Sequence, residues 1–267
     1  MPLPTADEIS SKLGDIMEGK FELTGSGSKR GEPVENEIGR ILKDSYPGQC
    51  FTQHKFIEEL LKSHEEDDSS FTKEGIENLL PKNVTCLISG ANHGPKMDKM
   101  LDFDLGKEYD DDHNHPLYLQ QATADFIMYD DIKKHKGKLV IIDVKCHHQD
   151  SRPGNSKSGM KIAKMCRVRD NLEVYFVFVN LDKDGNVLKT EVLDLFKIDP
   201  KKLAQSYNPR QGQLQFSSDI KKFVGSRKDW AKKYLNSLKK TVKKKLNSAR
   251  NKDIREIQIL YDDSRLI

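Results

Sequence analysis

"ATADFIMYDDIKKHKGKLVIIDVKC", residues 122–146, holds two apolar runs separated by a polar, glycine-containing stretch. The pattern predicts two strands joined by a turn at about 130–138. Charges stand at the strand ends: Asp125 opens the first run, and Asp143 and Lys145 interrupt the close of the second. Residues two apart on a strand point the same way, roughly 6.6 Å apart along the chain. Asp143 and Lys145 therefore share a face, and Val144 points to the opposite one. If Asp125 projects from the neighbouring strand toward the same end, two carboxylates and one ammonium converge.

Two carboxylates that close repel each other unless a cation sits between them. Magnesium suits the position, because it prefers oxygen ligands and keeps waters in its shell. A lysine beside an attacking water favours deprotonation of that water and carries part of the charge that grows on a phosphoryl oxygen. The reaction that needs this set is phosphodiester hydrolysis. The plain alternative is a core strand whose last residues emerge into solvent, where Asp and Lys are ordinary.

Outward from this pair, "NLEVYFVFVNL" (171–181) is apolar on both faces, as in an interior strand covered on each side. The turn "DKDGN" and the strand "VLKTEVLDL" follow. Between the second and third strands, 156–169 reads as a helix with Met160, Ala163 and Cys166 inward and Lys157, Lys161 and Lys164 outward. Strand, helix, strand is a crossover unit, and the class predicted is α/β, a central mixed sheet flanked by helices. Upstream, a helix is expected at about 5–17, a loop in "LTGSGSKRG", and a helix in "EPVENEIGRILKD" (32–44) with Val34, Ile38, Ile41 and Leu42 at helical spacing. Residues 51–95 read as helix, loop and a short strand. The acidic stretch 99–115 reads as a solvated linker or a cation loop, without the spaced donors of a calcium site. Downstream, Ser226 and Asp229 form a capping box that opens a long basic helix with Trp230, Tyr234 and Leu238 on one face. No repeat or linker divides the 267 residues, so one domain over 1–267 is expected.

The net charge of +3 hides a segregated field. Residues 201–252 carry 16 Lys or Arg against Asp219 and Asp229, a balance of +14 that leaves the rest of the chain near −11. That separation fits a polyanion on one face, most often nucleic acid, and it also fits a solvated lysine-rich helix. The four cysteines have no close pairing and no CxxC, which argues against a disulfide framework and a structural zinc site and for a reducing compartment. No targeting segment or membrane span is legible, and a cytoplasmic protein is expected.

The triplet Asp125, Asp143, Lys145 resembles the PD-(D/E)XK nuclease signature, with Ala124 where the pattern has proline. More closely, the chain resembles the HincII/HindII type II restriction endonucleases in four segments: "GEPVENEIGRIL" (31–42), "TADFIMYD" with "LVIIDVK", "NSKSGMKIAKMC" (155–166) and "GSRKDWAKKYL" (225–235). In the third, Asn155, Ser158, Lys161, Ala163 and Cys166 keep the family spacing. The likeness runs from about residue 25 to 245 and is weakest at 50–115.

The resemblance implies a restriction-endonuclease-like core and cleavage of unmethylated duplex DNA at a palindrome. It further implies a homodimer, blunt ends with 5′-phosphate and 3′-hydroxyl, and a partner methyltransferase in a bacterial or archaeal cytoplasm. Asp125 and Asp143 would bind Mg2+, and Lys145 would assist or orient the nucleophilic water. Asn155 falls where the family reads bases, with Gln149, Arg152, Lys157 and Ser158 beside it. Lys161, Lys221, Lys222, Arg227 and Lys232 would contact phosphate. The loop from Asp143 to Asn155 reads shorter than the family pattern, which leaves the recognition sequence open. His147 and His148 read as surface or phosphate-contacting side chains. Glu35 is either near the metal or a solvated helix residue. The rival readings are a repair or junction-resolving nuclease of the same superfamily, a DNA-binding module without catalysis, and a structural protein with a lysine-rich tail.

Overall fold

The computed structural model describes residues 2–16, 19–22, 31–62, 124–130, 138–148, 159–168, 171–203, 214, 216, 221–245 and 251–262. In chain order the elements are α1 (Ala6–Ile16), α2 (Glu32–Ser45), β1 (Cys50–Thr52), α3 (Gln53–Lys62), β2 (Phe126–Tyr129), β3 (Leu139–His148), α4 (Gly159–Val168), β4 (Leu172–Leu181) and β5 (Val187–Asp194). A 3-10 turn at Leu195–Lys197 and a short α5 (Pro200–Leu203) follow, then α6 (Arg227–Lys245) and α7 (Asn251–Asp262). The strands form one five-stranded sheet in the order β1-β2-β3-β4-β5. Only the β3–β4 pair is parallel, as its crossover through α4 requires; the other three are antiparallel.

Each face of the sheet carries its own apolar layer. Val140, Ile142, Val144, Tyr175, Val177 and Val179 pack with Ile9 and Leu13 of α1 and Val34, Ile38, Ile41 and Leu42 of α2. The alternate residues Leu139, Ile141, Val174, Phe176 and Phe178 pack with α4, α6 and α7. This two-sided cover is why "VYFVFV" has no polar alternation. The arrangement is the α/β sandwich expected from the sequence. Ala163 and Cys166 face inward as predicted, whereas the side chains of Met160, Lys161 and Lys164, and Lys157 altogether, lie outside the described residues.

Two glycines fix close approaches. Gly185 sits at φ 88°, and a Cβ there would stand 2.2 Å from the Phe21 carbonyl oxygen. The turn around it is held by Asp182, whose Oδ1 accepts from the N–H groups of Asp184 (2.8 Å) and Asn186 (2.9 Å). Gly39 lets α2 lie on β2, since a Cβ there would come within 2.6 Å of the Phe126 ring. Gly39→Ala is therefore expected to destabilise by about 1–3 kcal/mol through overpacking, although alanine is the better helix former by about 1 kcal/mol. A urea midpoint at or above wild type would refute this packing.

At the start of α6 the capping box forms as read: Asp229 Oδ2 accepts from Ser226 N (3.0 Å) and Oγ (2.6 Å), and Ser226 Oγ accepts from Asp229 N (3.1 Å). These bonds hold the Asp229 carboxyl below its ordinary pKa. The helix is followed by α7, which the sequence reading did not place; Ile257 and Leu260 dock it on the α6 side of the core. Burial pushes the Cys50 and Cys166 thiols up to about 12. Among the described residues no helix is long and apolar enough to cross a membrane.

Candidate active site

The charged strand ends meet at one end of the sheet. The register runs Thr52↔Phe126 between β1 and β2 and Phe126↔Ile142 between β2 and β3. One further step puts Gln53, Asp125 and Asp143 in a single row, and β4 adds Phe176 opposite Asp143. Strand alternation places Asp143 and Lys145 on the same face as Leu139 and Ile141. Lys145 Nζ donates to Asp143 Oδ1 (3.0 Å) and to the Val144 carbonyl (3.1 Å). From the neighbouring strand, Asp125 Oδ2 accepts from Val144 N at 2.7 Å, and Asp125 N donates to the Ile142 carbonyl at 3.0 Å. The convergence expected of these three residues is therefore present.

The surroundings make this row costly unless it has a task. Asp143 is fully buried, and the Lys145 side chain keeps a quarter of its surface. Beside them Phe176 and Phe178 stack at 6.2 Å, and Phe216 meets both edge-on at 4.7 and 5.1 Å. A buried ion pair of this kind adds little net stability, because desolvation offsets the attraction. It does place a carboxylate and an ammonium in a medium where electrostatic forces are strong.

Two aspartates in register on adjacent strands are hard oxygen donors, the kind a small divalent cation takes. The donor set fits such an ion. No group of three or more His, Cys, Asp or Glu side chains that could hold a metal occurs among the described residues. Two carboxylates, with water and backbone oxygen for the remainder, is the ligand economy typical of magnesium.

The other predicted residues are placed as follows. Gln149, Arg152, Asn155, Lys157 and Ser158 lie outside the described residues, and Lys161 is described only as part of α4. Arg227 is at the opposite end of the sheet: its guanidinium donates to the Leu172 carbonyl and the Glu173 carboxylate. Leu172 lies roughly 20 Å back along β4 from Phe178, the partner of Lys145. Lys221 and Lys222 are exposed near that same end, where Lys222 bridges to Ile198, and Lys232 is half-buried on α6. The structure thus does not bring Arg227, Lys221 or Lys222 to the aspartates. The His147 ring is half-buried and meets Phe178 edge-on at 6.3 Å. Glu35 is half-buried one turn into α2, whose first turn approaches Cys146 of β3 through Gly31. The residue the sequence reading missed is Gln53, buried in the same row as the aspartates, whose Oε1 accepts from Ala124 N at 3.1 Å. That contact spans 71 residues, so no local pattern announces it.

A mixed five-stranded sheet covered by helices, with an Asp and an Asp-Val-Lys set meeting at one end, defines a restriction-endonuclease-like core. A sequence model of the family "restriction endonuclease HincII" matches residues 10–258, and the chain belongs to that family. Comparison with individual curated proteins gives no match. Family membership supports a nuclease of the restriction-endonuclease kind with DNA as substrate, and enzymes of this family generally use a divalent metal.

Proposed function

We propose that the protein is a sequence-specific type II endonuclease that hydrolyses duplex DNA with Mg2+ at a palindromic site, leaving blunt ends with 5′-phosphate and 3′-hydroxyl. The observation that carries the reading is the convergence of Asp125, Asp143 and Lys145 on one sheet end, half-enclosed by aromatic side chains.

In this reading Asp125 and Asp143 hold the metal, which when bound acidifies water and offsets phosphate charge. Asp125 is aimed by its hydrogen bond to Val144 N, and Asp143 by burial against β4. Lys145, 3.0 Å from Asp143, places its ammonium where the attacking water and the non-bridging phosphate oxygen meet. Water adds to phosphorus, the bond to the 3′ oxygen breaks, and the proton passes to that oxygen. No covalent enzyme intermediate is needed. Asn155, Gln149, Arg152, Lys157 and Ser158 are assigned to base readout, and Lys161 and Lys232 to backbone phosphate. Lys221, Lys222 and Arg227 serve phosphate only if the duplex reaches the far end of the sheet. A homodimer over the whole chain, acting in a prokaryotic cytoplasm beside a protective methyltransferase, matches a palindrome with two-fold symmetry.

The test is digestion of unmethylated plasmid and phage DNA by the purified protein with Mg2+ or EDTA, followed by sequencing of the fragment ends. Discrete bands sharing a blunt-cut palindrome, lost in EDTA, are expected. Cutting of branched DNA alone would replace this reading with a junction nuclease. Binding without cleavage would replace it with a DNA-binding module.

A further inference from the structure

At the catalytic end β3 runs on past the row where β1 and β2 stop, and side chains complete the ladder there. Beyond the end of β2, the N–H of Val144 finds the Asp125 carboxylate in place of a backbone carbonyl. Beyond the end of β1, the N–H of Ala124 finds Gln53 Oε1. The second substitution arises because β1 stops at Thr52 and the chain turns into α3 with Gln53 as its first residue. Gln53 is 3% exposed and Ala124 1% exposed, so water is a poor alternative partner for that N–H.

These bonds form a chain that ends on the metal-facing carboxylate. Gln53 fixes the N–H of Ala124, Ile142 fixes the N–H of Asp125, and Val144 fixes the Asp125 side chain. We infer that Gln53 is a positioning residue for the reaction, holding Asp125 at the angle from which it takes the divalent cation. The inference rests on the reading that Asp125 binds metal. The family signature clarifies why the residue is needed here. A proline before the aspartate has no N–H to satisfy, whereas Ala124 has one, and Gln53 supplies its buried acceptor. Without that acceptor the Ala124–Asp125 segment must leave an N–H unpaired or rotate toward another partner, and rotation moves the carboxylate.

A double-mutant cycle on the full chain separates positioning from packing. Free Mn2+ would be counted by electron paramagnetic resonance against wild type, Gln53→Leu, Ala124→Pro, the double variant and Asp125→Asn. Asp125→Asn is expected to remove the tight Mn2+ site. Gln53→Leu is expected to weaken it about tenfold, the scale of one lost hydrogen bond. Ala124→Pro, which deletes the donor, is expected to bind within about threefold of wild type, with Gln53→Leu adding no further loss in that background. If Gln53→Leu does not fold, Gln53→Asn keeps an amide but is one methylene too short to reach, and should show the same loss. Unchanged Mn2+ affinity in Gln53→Leu or Gln53→Asn overturns the inference. An equal loss with and without Ala124→Pro overturns it too, because the glutamine would then act through packing alone. If Asp125→Asn itself leaves Mn2+ binding intact, the metal reading fails first and takes the inference with it.

Discussion

Asp143→Asn is expected to lower the rate of DNA cleavage by on the order of a thousandfold or more, about 4 kcal/mol of transition-state stabilisation, while the chain stays folded. The magnitude follows from what the carboxylate does at its place in the sheet. It is fully buried, so no solvent-exposed acid can replace it, and it contacts Lys145 at 3.0 Å. The substitution keeps the side-chain shape, so Phe176 and the α4 layer have nothing to repack around. It removes one of two carboxylate charges at the metal-facing row and the counterion of Lys145 together. Asp125→Asn and Lys145→Ala should reach similar losses by different routes. The first loses charge while keeping an oxygen for Val144 N, and the second loses the cation but spares both carboxylates.

Thermal melts with and without Mg2+ distinguish these routes from unfolding. A metal that binds only the folded chain stabilises it by RT ln(1 + c/Kd), with c the free metal concentration, and the melting temperature rises accordingly. That rise should vanish in Asp143→Asn and Asp125→Asn and persist in Lys145→Ala. Metal-free melting near wild type in all three is expected. Cleavage at more than a tenth of the wild-type rate in any of them would sink the assignment for that residue, and loss of the fold in all three would make the row structural.

What the sequence disclosed and what it hid divide along the range of the interactions. The strand run "FVFV", the crossover helix and the capping box at Ser226 are local patterns, an unbroken apolar run, a period near 3.6 and a three-residue reach, and each is present in the fold. The convergence of Asp125 on Asp143 was legible only because a short hairpin leaves few registers that bury both apolar runs. Gln53 was illegible because its partner is 71 residues away and a glutamine after "CFT" looks like any helix start. The place of Arg227 was illegible for a related reason. A basic residue in a basic stretch suggests phosphate, but this one sits at the helix start beside β4, within reach of Glu173. Composition counts charges and says nothing of which are already used. Lys233 bonds Asp199 at 3.2 Å and lies over the Phe223 ring, and Lys239 faces the Tyr261 ring.

The second large effect concerns α6. Trp230→Ala is expected to cost about 3–5 kcal/mol of stability, a substantial part of the roughly 5–15 kcal/mol that holds a typical domain together. Trp230 is fully buried, stacks on Tyr234 at 5.3 Å and 6°, and takes the edge of Phe196 at 5.4 Å. Its Nε1 also donates to the Ile198 carbonyl at 3.0 Å, so truncation strips a buried acceptor of that bond as well as opening a cavity. Trp230→Phe should recover part of the loss by filling space without restoring the bond. Because this is the chain's one tryptophan, the unfolding must be followed by circular dichroism rather than intrinsic fluorescence. A loss below about 1 kcal/mol would refute the packing described. The contrast with the opposite face of the helix is the point of the measurement. Lys240 and Lys243 are exposed, so Lys240→Gln and Lys243→Gln should leave the urea midpoint unchanged. If that face meets DNA, each removed contact lowers the steepness of log affinity against log salt by about 0.9. If it does not, the slope stays put, and the helix is basic because only its other face, with Trp230, Tyr234 and Leu238, has a core to enter.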